Sequence, residues 1–555
     1  MKKRNTILTS ILIVGLLLTV SSLAGIAVED KETQEKNIRF SYRAADIKPA
    51  DYSVNKNALQ PYSLKKTTSS LSVLTDADVQ VTSAEGFDYQ PTIASGDGQS
   101  LVLGYIGDPT GSGDYGAWFT SSMDGGATWL IENSVALAIE PPEKPSVDYW
   151  GEDRFVATWV PSYTDNDGGA FYIMEILDPA NPYDSFDGVY WTFNDLGECY
   201  TNFQDISLAC DNAVEYYAWG GASLVGDYGS VLSGIPMFTY QATEDGTAWI
   251  YAFSDVETGG LYQNCQGTAT DIDPVTHESY SVWNFMNGST GVYDLYFYKF
   301  DFATWDEYQG YPIHPGLAEG QLSSDNDDQN VDISSYNDNI IIVSQNNDDI
   351  SCYYSFDGLG NLSESIVVNS DGIEQFPRVI HTGEQQAVCL FTKDGNLFST
   401  RTEDGGVTWE APVQVNDEAG TVLEEESTAD ICKLGIVWTD ERTGNYDIFF
   451  DVPGIAIANV VVESIAGGFG VSAEIANIGT AEAVNVPWVI TIDGGLMLLG
   501  SETEGTIDSI PAGESVTVTT GLVLGIGKVD ISVTAAGSNK MASGTVILPL
   551  VIGVS

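Results

Sequence analysis

The sequence predicts an all-β protein, a ring of seven small sheets followed by a β-sandwich. Three observations carry this prediction. A three- to four-strand pattern recurs seven times between residues 90 and 450. Turn formers and aromatics are abundant, with Gly 57, Tyr 28 and Trp 12 in 555 residues. From residue 455 onward the aromatics thin out, and Val, Ile, Gly and Thr take over.

That length exceeds one ordinary domain. Acidic residues number 79 against 21 basic, a formal net charge of 21 − 79 = −58. Such a charge excludes general nucleic-acid binding, which needs a basic face to displace counterions. It opposes docking on anionic lipid and favours cations, basic partners or saline surroundings. An aromatic content of 11% separates the chain from disordered acidic tails, which cannot build a core.

Taken in order, the chain opens with Lys2, Lys3 and Arg4, an apolar run over residues 7–20, and small residues at Ser22, Ala24 and Ala27. This is the charge-apolar-small order of an export signal over residues 1–27, cleaved after Ala24 or Ala27; an uncleaved anchor is the alternative. The expected location is extracellular or cell-surface, with a membrane touched only through an uncleaved signal. Residues 28–75 are polar and unpatterned and read as a linker.

Residues 76–452 hold the repeats. Apolar anchors at Ile93, Val147, Leu208, Ile272, Ile333, Val379 and Ile431 each follow a small or polar residue. A second apolar strand ends in an aromatic, as at Tyr105, Trp159, Trp219, Trp283 and Phe391, and a third aromatic strand follows. One small sheet cannot bury both faces alone, whereas a ring of sheets covers each face with a neighbour, so this period signals a β-propeller. The seventh unit has three strands, and residues 77–82 carry the strand pattern that would complete it and close the ring. Six cysteines lie mid-chain without zinc spacing. Cys199 and Cys210 are near enough to pair, Cys389 and Cys432 read as buried thiols, and connectivity stays open.

Ser122-Met123-Asp124-Gly125-Gly126-Ala127-Thr128-Trp129 and Thr402-Glu403-Asp404-Gly405-Gly406-Val407-Thr408-Trp409 follow S/T-x-D-x-G-x-T-W. Residues 243–249 and Ser355-Phe356-Asp357-Gly358 look like degraded copies. In these motifs the chain resembles the Asp-box propellers of the sialidase-like superfamily. The resemblance implies that Ser122, Asp124, Gly126, Trp129, Thr402, Asp404, Gly406 and Trp409 are structural and face away from the usual active site. Residues 455–555, with about seven short alternating strands, suit an immunoglobulin-like sandwich. There Ile475-Ala476-Asn477-Ile478-Gly479 followed by Ile510-Pro511-Ala512-Gly513 resembles the cell-adhesion-related repeats of prokaryotic surface proteins.

In that fold the loops opposite the Asp-box turns gather Asp88, Tyr89, Asp114, Tyr115, Tyr163, Tyr200, Tyr262 and Asp440 on one ligand face. A sialidase would need three arginines to clamp a carboxylate. Only Arg378 and Arg442 can reach the mouth, and Gln90 stands where the family's arginine would be. Another glycosidase would need two carboxylates. Asp271, Asp332 and Asp430, read as one register of the inner strands, are the catalytic candidates, together with Arg378 and Arg442. The bland alternative is that these aspartates bond to neighbouring backbone. Asp165, Asp167, Asp325 and Asp327 place oxygens at alternating positions, as calcium prefers, although no cofactor is required. The first expectation is therefore a non-catalytic exported protein that binds a carbohydrate or a surface protein; the second is a glycoside hydrolase.

Overall fold

The computed structural model describes residues 39–43 and, with gaps, residues 78–554. Among the described residues, one five-stranded and six four-stranded antiparallel sheets lie before residue 452, with a small hairpin of Asp306–Tyr308 and Tyr311–Ile313 beside them. In chain order the inner strands are Asp88–Ser95, Pro142–Gly151, Phe203–Ala209, Cys265–Ile272, Asp328–Tyr336, Gln375–His381 and Ala429–Ile431. Each neighbours the next, and the seventh neighbours the first, so the sheets form a closed circle around an axis.

Two-sided burial explains the apolar runs. Leu101–Gly107 and Ile436–Asp440 are buried at every residue, as strands covered on both faces must be. The outer strand Ser363–Val368 is largely exposed for its first four residues. Aromatics fill the seams: Trp159, Trp283 and Trp438 are fully buried, and Phe119 packs 5.5 Å from Trp159 across the first seam.

Val79–Gln80 pairs antiparallel with Asp447–Asp451, so the chain's early segment supplies the fourth strand of the seventh sheet. Arg442 bolts this joint. It reaches Asp78 at 2.5 Å and Asp440 at 2.6 Å, and lies over the Phe449 ring at 4.2 Å. Asp78 and Asp417 also exchange backbone-to-carboxylate hydrogen bonds of 3.1 and 2.9 Å.

Two elements depart from the sequence reading. Arg39–Arg43, read as linker, pairs with Trp249–Phe253 and makes the third sheet five-stranded. The open edge of a fourth strand is a template that any short extended segment can fill. Beyond residue 458 a three-stranded sheet (Val460–Gly468, Gly470–Asn477, Ser515–Thr519) packs on a larger one around a shared aliphatic core. The larger sheet includes Leu496–Leu499 and Glu502–Ile510, which the sequence reading missed. The second of these, Glu-Thr-Glu-Gly-Thr-Ile-Asp-Ser-Ile, has too few apolar residues to show a pattern.

Candidate functional site

The inner strands surround a cavity of about 790 Å³ on the axis, lined from all seven sheets and by Thr491, Ser532, Thr534, Asn539 and Met541 of the larger C-terminal sheet. Most enter it through a β-bulge, where the register slips between Tyr89 and Thr92, Glu143 and Ser146, Cys265 and Thr268, Gln329 and Asp332, and Gln375 and Arg378. Gln90, Lys144, Asn330 and Phe376 take positive φ there, which re-aims the chain at one mouth of the cavity. At that mouth the Lys144 ammonium contacts Asp205 at 3.2 Å and Glu426 at 2.8 Å, joining the second, third and seventh sheets. Burial pulls the Lys144 pKa down, but the two carboxylates outweigh it and hold the group charged.

Deeper in, the side chains of one inner strand accept backbone N–H groups of the next. Asp430 accepts from Ile93 (2.8 Å) and from the Thr92 hydroxyl (3.0 Å); Thr92 then accepts from Val147 (3.2 Å). Asp148 accepts from Cys210 (2.6 Å), Asp205 from Thr268 (2.8 Å), Asp271 from Ser335 (2.6 Å) and Asp332 from Val379 (2.7 Å). These bonds cross six of the seven seams in one rotational sense. At the sixth-to-seventh seam the corresponding residue is Arg378, which cannot accept; its charge faces Asp332 and Asp430. Burial raises the Asp332 carboxyl to about 6, against the pull of Arg378, and lifts Asp148 to about 7 and Asp271 to about 8. The three sequence candidates do not share a register. Asp332 is the first paired residue after its bulge, whereas Asp271 lies three residues beyond Thr268, which holds that place in the fourth sheet.

Of the ligand-face candidates, Tyr89 and Tyr115 come together, edge to face at 5.7 Å. Beside them Phe87, 45% exposed, packs 4.7 Å from Tyr446. Two others leave the face. Asp440 is buried under Arg442 and the Trp438 indole, whose Nε1 donates to it at 2.9 Å, so Asp440 and Arg442 form the closing joint and do not offer groups to a ligand. Asp88 is buried where the first sheet meets the seventh, near Asp447 and Asp108, and burial raises its pKa to about 8. Asp114, Tyr163, Tyr200, Tyr262, Asp165, Asp167, Asp325 and Cys199 lie outside the described residues. Asp327 accepts the Tyr293 N–H at 3.1 Å, and the described residues hold no cluster of three or more metal-ligating side chains.

The turns after the third strands repeat one hydrogen-bond set. Asp124 accepts from the Thr128 N–H (2.8 Å) and hydroxyl (2.6 Å), while Ser122 Oγ accepts from Gly126 N (2.8 Å). Thr402, Asp404, Gly406 and Thr408 do the same, and Ser355, Asp357 and Asn361 form a third version. A Cβ on Gly126 would fall 2.1 Å from Phe450, which Trp129 also touches at 5.4 Å between centroids; this turn grips the preceding sheet. Trp409 packs likewise against the fifth sheet.

The sequence reading missed Lys144, Asp148, Asp205 and the Phe87–Tyr446 pair. One signal was available: two residues before the first paired residue after the bulge stand the amides Gln90, Gln266 and Asn330, whereas Lys144 holds that place in the second sheet and Phe203 and Phe376 in the third and sixth.

No protein-family model matches the chain, and no curated protein is similar to it in sequence. Solved structures show a distant likeness. A Trypanosoma rangeli sialidase in complex with sialic acid is 12% identical, covering 86% of this chain and 90% of its own, with a TM-score of 0.34. A Penicillium chrysogenum alpha-L-arabinanase complexed with arabinobiose is 12% identical over 59% of this chain and 98% of its own, TM-score 0.39. A Dyadobacter fermentans protein of unknown function is 11% identical over 61% and 97%, TM-score 0.34. Likeness at this level carries no conclusion about activity.

Proposed function

We propose that this is an exported binding protein: a seven-bladed Asp-box propeller, with a C-terminal immunoglobulin-like sandwich, whose mouth-side face recognises carbohydrate outside the cell or on its surface. The observation that carries the reading is the pairing of Phe87 with Tyr446 on neighbouring loops, and of half-buried Tyr89, at the start of an inner strand, with Tyr115. Rings presented in this way stack on the C–H faces of sugars, and the neighbouring Glu425 and Glu441 supply acceptors for hydroxyls. Export rests on the charge and apolar pattern of residues 1–27.

A glycan-array screen of the full chain, with and without chelator, tests this. Binding to a defined glycan class is expected, and Phe87→Ala and Tyr115→Ala should each weaken it by about tenfold or more. Loss of binding with chelator would add a cation to the site. Silence on all glycans, with a protein partner recovered in its place, would replace carbohydrate by protein as the ligand.

Glycoside hydrolysis is the second reading, favoured by the Asp332–Arg378–Asp430 grouping in the cavity. Against it, Asp332 and Asp430 already hold backbone N–H groups of the next sheet. Release of reducing sugar that disappears in Asp332→Asn while folding is retained would establish it.

A further inference from the structure

On the larger sheet of the C-terminal sandwich, Leu496 stands opposite Ile526, Ile526 opposite Ile547, and Ile547 opposite Leu550. Residues directly opposite in a sheet project to the same face. This row therefore crosses four strands as one aliphatic band. Its members are 61%, 58%, 48% and 37% exposed, while Met497, Val546 and Val551 between them turn inward to the core. Leu498 and Ile552 extend the band, and nothing among the described residues covers it.

The band is also free of acid. Residues 494–501, 515–529 and 541–555 contain no Asp or Glu, although 79 of the chain's 555 residues are acidic. Lys528 is the one charged residue in those three stretches. Contiguous apolar patches on monomers rarely exceed about 300–600 Å², and larger ones mark contacts.

We propose that this face is the dimerisation surface of the protein, packing on the same face of a second copy. Three features select a second copy over other occupants. The band is the free end of a regular sheet face whose other end, at Ser532, Thr534 and Met541, borders the axial cavity, and the aliphatic faces of two sheets pack flat on one another at about 10 Å. A half-exposed band six side chains wide approaches the scale of one partner's share of a standard interface, about 800 Å². Finally, two bodies of charge −58 approach most easily where carboxylates are fewest; the band itself carries none, and Asp530, the one acid of these four strands, projects to the same face four residues from Ile526 along its strand.

Sedimentation velocity of the full chain over a hundredfold concentration range reads the proposal. A reversible dimer is expected, tightening as salt rises, because the Debye length shrinks from about 10 Å at 0.1 M to about 3 Å at 1 M. Ile526→Glu and Ile547→Glu should each weaken association by about tenfold or more. Leu496→Gln, a milder change, should weaken it less, and Val413→Glu on an exposed outer strand should leave it unchanged. Circular dichroism checks that the variants fold. A chain that stays monomeric at all concentrations and salts overturns the proposal, as does a dimer that persists in both glutamate variants. So does a monomer that binds phosphatidylcholine vesicles through Ile526, which would make the band a lipid contact.

Discussion

Aspartate plays two opposed parts in this molecule, and its surroundings decide which. At the Thr402–Thr408 turn, Asp404 loses some hydration but gains donors from Thr408 and Thr402, and its pKa ends below the usual range. In the interior, burial wins and Asp88, Asp148 and Asp271 rise to about 8, 7 and 8. A carboxyl with a raised folded pKa binds its proton more tightly in the folded chain. Its stabilisation is complete below the unfolded value of about 4 and is lost as pH climbs through the folded value. Thermal unfolding should therefore occur at progressively lower temperature between pH 5 and 8, and Asp88→Asn should flatten that decline; a profile identical to the parent's would remove Asp88 from the account. The turn aspartates were legible in the sequence because their partners lie two to four residues away. For Asp430 the sequence left two readings open, catalysis or a bond to neighbouring backbone, and could not name the partner, because Thr92 is 338 residues distant and only closure brings the two together.

Among the elements, the joint at residues 78–82 shows how a two-residue pairing can close the circle. Backbone pairing at Val79 and Gln80 is short, and side chains reinforce it: Arg442 across Asp78 and Asp440, Gln80 on Asp447 (3.1 Å), and Thr82 accepting the Ile448 N–H (2.9 Å). Asp440 is fully buried and the Asp78 side chain nearly so. Arg442→Ala would strand two carboxylates without a counter-charge, a defect that costs about 3–5 kcal/mol. Urea unfolding should show a loss of that size, and Arg442→Lys should recover only part of it, since an ammonium cannot fork between two acids. The repeated strands could be read from sequence because two-sided burial writes itself as uninterrupted apolar runs. Arg39–Arg43 and Glu502–Ile510 could not, because an added edge strand and a polar strand leave no such trace.

At the scale of the whole molecule, a charge of −58 is spread over a chain with only 21 basic residues. Self-repulsion of that size opposes the compact state and weakens as counterions gather. Added sodium chloride should raise the unfolding temperature measured by calorimetry, and insensitivity to salt would mean that the acids are neutralised locally.

The side-chain links around the cavity make one spoke of the ring unlike the rest. Six seams are stitched from an acid or hydroxyl to the neighbouring backbone; the seventh, at Arg378, is held by apolar packing, by attraction between Arg378 and Asp430, and by a backbone hydrogen bond from Val422 N to Gly395 O (2.9 Å). Here the odd spoke borders the seventh sheet, the same sheet that residues 79–80 complete against residues 447–451, so the ring's two departures from sevenfold likeness lie side by side.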